Sequence, residues 1–301
     1  MIVRHCNMDT KTYESKFINV YGSKMHYLEQ GKGDPILFLH GIPTSSYLWR
    51  NILPNIPHGR CVAPDLIGMG KSDKPNLLYR VFDHIRYIEG FIDALQLKNI
   101  TLVLHGWGSV IGLDYAMRHE NKVKSLIFYE SHLRPISKWE MLTLPLQELA
   151  TTFHSLDQTT DLILNTDYFM DKIFPTGLLK KLAPEEKAHY AEPFQNAQSR
   201  QVLLQYLKDF PIGTKQTDVS ELMANYSSRL LHSTIPKLML YTIPGFNTTV
   251  DTLMWAKDNL KNISLVDIGE DLHYAQETNP ETISEEITHF LKKINQGAVT
   301  A

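Results

Sequence analysis

The sequence has few cysteines, no long apolar run and little net charge. Its 301 residues include only Cys6 and Cys61, which is too few for a disulfide framework and is typical of an intracellular protein with free thiols. The apolar runs have the length of strands and fall short of the roughly 20 residues that a membrane helix needs. A net charge of −3 provides no basic surface for nucleic acid.

The first residues, MIVRHC, have neither the apolar core nor the cleavage site of a signal peptide. Neither cysteine has the neighbours of a metal site, so we expect no metal. We therefore predict a cytoplasmic protein that has no membrane segment and no nucleic-acid partner.

The sequence does contain short apolar runs that alternate with longer amphipathic stretches, as in a mostly parallel sheet with crossover helices. With 43% hydrophobic residues, the length suits one large α/β domain or a domain with an insertion. The predicted strands are Phe17–Tyr21, Met25–Glu29, Ile36–Leu39, Cys61–Pro64, Thr101–Leu104, Ser125–Tyr129, Lys237–Tyr241 and Ser264–Asp267. Gly22-Ser23 separates the first two strands and predicts an antiparallel hairpin. A helix is predicted over Leu78–Leu95, with an apolar stripe formed by Phe82, Ile85, Ile88, Phe91, Ile92 and Leu95.

The alternation stops between Arg134 and about Thr214, where helix formers and aromatic residues dominate. We predict a helical cap inserted after the sixth strand, at residues 134–214, with residues 1–133 and 215–301 forming the core domain. The cap would cover the carboxyl ends of the strands, where open α/β sheets bind their ligands.

The segment Asn99–Gly112 predicts a buried strand, a sharp turn and a helix that begins at Trp107. In an α/β-hydrolase this turn is the nucleophile elbow, which lifts a Ser, Cys or Asp side chain into the pocket. Gly106 occupies that position here. Because glycine has no side chain, we expect no covalent intermediate at the elbow.

Two motifs carry a family resemblance. The motifs are HGIPTSSYLWRNI at His40–Ile52 and DLIGMGKSDKP at Asp65–Pro75. Both strongly resemble the haloalkane dehalogenases, and the coelenterazine-oxidising luciferases look like members of the same group. The similarity continues through His105–Ser109 and ends near His273, so it covers nearly the whole chain. It implies an α/β-hydrolase fold, in which a mostly parallel central sheet carries a helical cap inserted after the sixth strand.

The resemblance also implies roles for single residues. In those dehalogenases an Asp at the elbow attacks the carbon that bears the halogen, and a His then activates water to hydrolyse the ester. A Glu or Asp orients the His, while a Trp and an Asn hold the halide. His273 matches the base, Glu130 the orienting acid and Trp107 the halide-holding Trp. Gly106 stands at the nucleophile position and Ile42 at the Asn position, so two roles are vacant.

Two explanations for Gly106 are open. It could be a substitution made to disable a dehalogenase, although that would leave Ile42 unexplained. A natural change of function accounts for both positions, and we favour it on the logic of the site.

Glu130 and His273 are expected to pair. Glu130 directly follows an apolar strand, so it should emerge at the carboxyl end of that strand, where a buried carboxylate without a partner would be costly. A catalytic His needs such a carboxylate to fix its tautomer. Asp271 and Glu270 could orient His273 instead, but we expect them to be solvated loop charges.

The remaining pocket residues are predicted from their place around the elbow. Backbone N–H groups of Trp107 and Ile42 would form an oxyanion hole. Chemistry without a nucleophile could recruit His105, whereas Ser109 should point away. The residues expected to line the substrate and oxyanion pocket are Trp107, Ile42, His105, Phe153, Phe169 and Phe174.

These observations predict a small-molecule enzyme in which the Glu130–His273 dyad performs general acid–base chemistry, an effect worth about 10²–10⁴-fold. The reaction would be an elimination, cyclisation, decarboxylation, cofactor-free oxygenation or hydration, with a role in secondary metabolism. Haloalkane hydrolysis is not expected, since Gly106 cannot displace a halide. The alternatives are a non-catalytic small-molecule receptor and a dehalogenase carrying a disabling substitution. We expect no cofactor and a small apolar organic substrate, and we leave a homodimer open.

Overall fold

The structure is a computed structural model that describes residues 13–152, 156–210, 216–243 and 245–297. Its centre is an eight-stranded sheet with the order β1-β2-β4-β3-β5-β6-β7-β8. The strands are β1 (Glu14–Val20), β2 (Ser23–Lys32), β3 (Pro35–Leu39), β4 (Gly59–Pro64), β5 (Ile100–Gly106), β6 (Val123–Ser131), β7 (Lys237–Tyr241) and β8 (Ile263–Asp267). β2 pairs antiparallel with β1 and β4, and the other neighbours are parallel. The predicted fold class and all eight predicted strands are confirmed.

Helices cover the sheet and the carboxyl ends of its strands. The α-helices in the described ranges are α1 (Val81–Ala94), α2 (Trp107–Arg118), α3 (Leu144–Thr152), α4 (Leu156–Asn165), α5 (Pro184–Ala191), α6 (Gln201–Asp209), α7 (Asp218–Leu230), α8 (Val250–Asn259), α9 (Ala275–Thr278) and α10 (Pro280–Asn295). No helix in this part of the chain is both long enough and apolar enough to cross a bilayer.

The hairpin between β1 and β2 turns one residue earlier than predicted. Val20 pairs with Ser23, so the two loop residues are Tyr21 and Gly22. Their φ angles are +51° and +83°, and a two-residue turn of this kind matches the twist of the strands that it joins.

Helix α1 buries most of the predicted stripe, namely Ile85, Ile88, Phe91 and Ile92. Phe82 was wrongly placed on it, because the helix begins at Val81 and Phe82 faces outward, 39% exposed. The Arg80 guanidinium lies 5.5 Å from the centre of the Phe82 ring and partly covers it.

Helix α2 lies unusually close to the sheet. A Cβ atom built on Gly108 would be 2.5 Å from the carbonyl oxygen of Leu39, and one on Gly112 would collide with the Leu104 side chain. The two glycines therefore let α2 pack directly on β3 and β5, as their spacing predicts. This close packing sets the position of the elbow at the start of α2.

Between β6 and β7, the described residues of the predicted cap contain helices and single helical turns and no strand. A π-helical turn at Phe169–Ile173 and a 3₁₀ turn at Phe174–Gly177 lie between α4 and α5. The boundaries of the two domains, residues 134 and 214, stay predictions.

Candidate active site

The elbow is formed by the last residue of β5 and the first residue of α2. Gly106 has φ +51° and ψ −126°, a conformation that L side chains rarely adopt. A Cβ atom built on Gly106 would lie 3.2 Å from Nε2 and 3.4 Å from Cε1 of His273. Any side chain at this position would therefore point at the His273 ring, and the space that the missing side chain leaves is narrow.

Glu130 occupies an irregularity near the end of β6. His105 of β5 pairs with Tyr129, but Gly106 pairs with Ser131, so Glu130 has no partner across the strand. Its φ of +49° is unusual for a residue with a side chain. A bulge of this kind re-aims a side chain at the rim of a sheet, and here the side chain is buried, with 1% exposure.

The Glu130 carboxylate is surrounded by N–H donors. The backbone N–H groups of Phe246 and Thr248 donate to it at 3.2 Å, and that of Asn247 donates as well. The imidazole of His273 lies 3.1 Å away, from Nδ1 to Oε2. Burial opposes ionisation, but the hydrogen bonds from His273 and the backbone prevail and lower the pKa of Glu130. The carboxylate is thus kept as an anion inside the protein.

His273 lies in the loop between β8 and α9. An anionic Glu130 accepts a hydrogen bond from Nδ1–H of His273, which leaves Nε2 free as an acceptor that faces Gly106. The next residue anchors the loop, since the backbone N–H of Tyr274 donates to the carbonyl of Gly177 at 3.1 Å and its hydroxyl donates to the carbonyl of Ile42 at 3.2 Å. The cap and the loop after β3 together hold the loop that carries His273.

His105 supports the same loop from beneath. Its Nε2–H donates to the backbone carbonyl of His273 at 2.8 Å, and the two rings lie 4.4 Å apart, centre to centre. Burial and the nearby His273 hold the pKa of His105 well below its ordinary value. His105 is therefore a neutral hydrogen-bond donor. Ser109, in contrast, donates to the carbonyl of Gly106 at 2.6 Å.

Asp271 and Glu270 differ in their exposure to solvent. Glu270 is exposed, as expected. The expectation that Asp271 is solvated is wrong, because it is 2% exposed. Its carboxylate accepts hydrogen bonds from the backbone N–H of Leu272, at 2.8 Å, and from the hydroxyl of Thr278. Asp271 thus closes the turn before α9, and the carboxylate at hydrogen-bond distance from His273 is Glu130.

Aromatic rings from the cap pack over the elbow. The indole of Trp107 and the ring of Tyr206 in α6 are 5.1 Å apart in an edge-to-face arrangement, and Phe169 lies 6.4 Å from Tyr206. Phe174 lies 4.8 Å from the ring of Tyr274, the residue after His273. Sequence reasoning missed Tyr206, although its place on the amphipathic α6 was available as a signal.

Ile42, another predicted pocket residue, lies in the loop that follows β3. Ile42 is buried, follows Gly41 at the end of β3 and precedes a cis peptide bond to Pro43. A Cβ atom built on Gly41 would lie 3.0 Å from the backbone nitrogen of Trp107, so this loop packs directly against the start of α2. Phe153 lies outside the described residues.

Comparisons with known proteins place this geometry in a family. A family model described as the alpha/beta hydrolase fold matches residues 34–280. A haloalkane dehalogenase of Mesorhizobium japonicum is 36% identical over 92% of this chain and 91% of its own length, and one of Agrobacterium fabrum is 34% identical over 96% and 98%. The crystal structure of the haloalkane dehalogenase DbeA from Bradyrhizobium elkani superposes with a TM-score of 0.91 at 33% identity, covering 95% of this chain and 99% of that one.

These relatives overturn the function expected from the sequence. Both relatives are named haloalkane dehalogenase, and they match more than nine-tenths of this chain. Hydrolytic dehalogenation is a different class of reaction from elimination, cyclisation, decarboxylation, cofactor-free oxygenation or hydration. The predicted non-hydrolytic reaction and its place in secondary metabolism are therefore wrong, and neither the receptor nor the disabled variant is retained. The chain belongs to the α/β-hydrolase family and, within it, to the haloalkane dehalogenases.

Proposed function

We propose that this protein hydrolyses small, apolar haloalkanes, converting R–X and water into R–OH, halide and a proton. The observation that carries this proposal is the free Nε2 of His273, which faces the elbow while Nδ1 is bound to the buried Glu130 anion. The names of the relatives support the substrate class.

We assign Gly106 to the nucleophile position of the family. Since glycine supplies no attacking atom, the oxygen that attacks the carbon comes from a water molecule held by His273. As the oxygen bonds to carbon, the carbon–halogen bond breaks and the halide leaves with its electron pair. The proton of the water passes to Nε2 of His273.

Glu130 has an electrostatic role in this step. When His273 takes the proton, it becomes an imidazolium next to a buried carboxylate, and the two charges stabilise each other. The backbone N–H groups of Phe246, Asn247 and Thr248 keep Glu130 ionised before the proton arrives. The pair is therefore prepared for a charge that exists only during the reaction.

The leaving halide is expected to meet one side-chain donor. The indole N–H of Trp107 can donate to it, whereas Ile42 stands where the family has an amide and can donate only through its backbone. Weaker stabilisation of the departing anion favours substrates with good leaving groups. We therefore expect bromoalkanes to react faster than the matching chloroalkanes.

The first test is halide release from 1-bromobutane by the wild type and His273→Ala. Removal of the base should slow release by about 10²-fold or more. His289→Ala, which changes an exposed histidine of α10, is the matched control and should not alter the rate. Wild-type release at the buffer rate would refute the proposal.

A second test identifies the attacking oxygen. With enzyme in excess over 1-bromobutane in H₂¹⁸O, a single turnover should give butanol that carries ¹⁸O, because water attacks the carbon directly. Unlabelled butanol in the first turnover would mean that a protein oxygen attacks, which contradicts the assigned role of water.

A further inference from the structure

A second hydrogen-bonded series of serine, histidine and aspartate lies on the antiparallel side of the sheet. The side chains are Ser15 of β1, His26 of β2 and Asp65, which directly follows β4. Ser15 Oγ is 2.8 Å from Nε2 of His26, and Nδ1 of His26 is 2.8 Å from Oδ2 of Asp65. None of the three belongs to the Glu130–His273 site.

The strand register explains how Ser15 and His26 meet. Phe17 pairs with His26 and Ser15 pairs with Leu28, so the side chains of Ser15 and His26 project from the same face at diagonal positions. Ser15 is exposed, whereas His26 is 2% exposed. The hydroxyl is thus accessible to solvent and the base behind it is sheltered.

Asp65 fixes the tautomer of His26. Its carboxylate is 1% exposed and accepts hydrogen bonds at 2.7 Å from the backbone N–H groups of Ser46 and Lys71. Burial opposes ionisation, but the hydrogen bonds from His26 and Ser46 prevail and lower the pKa of Asp65. An ionised Asp65 accepts a hydrogen bond from Nδ1–H of His26, so Nε2 is left to accept a hydrogen bond from the Ser15 hydroxyl. This is the order of roles in a serine hydrolase.

A cavity of about 540 Å³ adjoins His26 and Asp65. It is lined by His26, Asp65 and Tyr13, two residues before Ser15, and by the cationic side chains of Lys71 and Lys74. Within the described ranges neither lysine has a carboxylate within 4.0 Å, in contrast to Arg50 of the same cavity, which is held by Glu277 and Glu186. Glu192 also lines the cavity but forms no ion pair with either lysine, so the two ammonium groups are available to an anionic ligand.

We propose that Ser15, His26 and Asp65 form a second hydrolytic site for carboxylic esters that carry an anionic group. Ser15 Oγ bonds to the carbonyl carbon while its proton passes to Nε2 of His26. The ester C–O bond then breaks, and the leaving alkoxide takes that proton. Water, deprotonated by His26, hydrolyses the acyl-Ser15 ester and releases the acid, and the proton returns to Ser15.

Stabilisation of the loop alone does not require Ser15. The bonds of Asp65 to His26, Ser46 and Lys71 already join the strands to the loop. Because Ser15 is exposed on an edge strand, its replacement by alanine should leave the fold intact. Ser15→Ala thus separates a chemical role from a structural one.

The test uses the full chain and a fluorophosphonate probe, which phosphonylates activated serines. We expect labelling of the wild type, with peptide mass mapping that locates the adduct on Ser15. Ser15→Ala should label at least 100-fold more slowly, whereas Ser228→Ala, at another exposed serine, should label at the wild-type rate. Absence of labelling, or an adduct on another residue, would overturn the proposal, and neither result would bear on halide release at the other site.

The substrate class has its own test. Turnover of 4-nitrophenyl hemisuccinate should exceed that of 4-nitrophenyl acetate, and the preference should disappear when Lys71 and Lys74 are both changed to alanine. Equal rates for the two esters in the wild type would exclude the anionic class.

Discussion

Gly106 is the residue of the elbow that lies next to the His273 ring. Its missing side chain leaves 3.2 Å between the ideal Cβ position and Nε2 of His273. In the proposed mechanism, a methyl group at this position would be in the way of the water that His273 activates. The effect of a substitution at Gly106 on backbone strain can be measured separately from its effect on activity.

Gly106→Ala is expected to lower both stability and activity. The left-handed φ should cost about 1–3 kcal/mol in the free energy of unfolding, and the methyl group should crowd the water beside His273 and reduce halide release by about tenfold or more. Urea unfolding and halide release measure the two effects.

Gly22→Ala is the matched control. Gly22 also has a positive φ, +83°, but no atom lies within 4 Å of its ideal Cβ position. The Gly22→Ala variant should be less stable than the wild type and should release halide at the wild-type rate. Full activity in Gly106→Ala would show that no water is needed at the elbow.

At the scale of elements, a short 3₁₀ turn of the cap contacts the loop that carries His273. A Cβ atom built on Gly177 would lie 2.8 Å from the Tyr274 ring and 2.9 Å from Cβ of His273. The carbonyl of the same glycine accepts the hydrogen bond from the Tyr274 backbone N–H. This 3₁₀ turn therefore helps to set the height of His273 above the elbow.

Gly177→Ala is expected to displace the loop that carries His273. Overpacking of this kind costs about 1–3 kcal/mol in stability, and a displacement of about 1 Å at a catalytic group can cost about 10²-fold in rate. Steady-state halide release should therefore show a lower kcat.

Lys172→Ala changes an exposed residue of the adjoining turn and serves as the control. It should match the wild type in both measurements. An unchanged kcat in Gly177→Ala would mean that the cap turn does not position the base.

The whole molecule carries several histidines that fold as neutral groups. Burial lowers the pKa of His40, His84, His105 and His132 from the ordinary value of 6.5, to about 3 for His84 and to about 4 for His132. Below pH 6.5 the unfolded chain binds protons that the folded chain excludes. The stability that these histidines contribute is therefore fully present above pH 6.5 and is lost as the pH falls towards the folded-state pKa values, about 4 for His132 and about 3 for His84.

His84→Leu should make this pH dependence shallower. Removal of one such group should reduce the fall in the free energy of unfolding between pH 6 and pH 5 by about 1 kcal/mol, since each proton contributes about 1.4 kcal/mol per pH unit. Urea unfolding at pH 7, 6 and 5 measures the slope. His289→Ala, at an exposed position, should retain the wild-type slope, and an identical slope in His84→Leu would contradict the assignment.

The sequence by itself determined the strands, the elbow and the identities of the two residues that pair beneath the cap. Apolar periodicity and the Gly-Trp-Gly spacing are local signals, since each reports on residues a few positions apart. Glu130 could be placed at the end of its strand for the same reason. The function did not follow from these signals, because the vacant position at Gly106 argued against the activity for which the relatives are named.

Only the tertiary structure determined which groups form hydrogen bonds with the buried carboxylates. The bulge at Glu130 depends on the register between β5 and β6, and its N–H donors come from a loop more than 110 residues later in the chain. Ser15, His26 and Asp65 likewise meet only because β2 pairs with both β1 and β4. Strand order and register are set by the packing of the whole sheet, and no local pattern in one sequence encodes them.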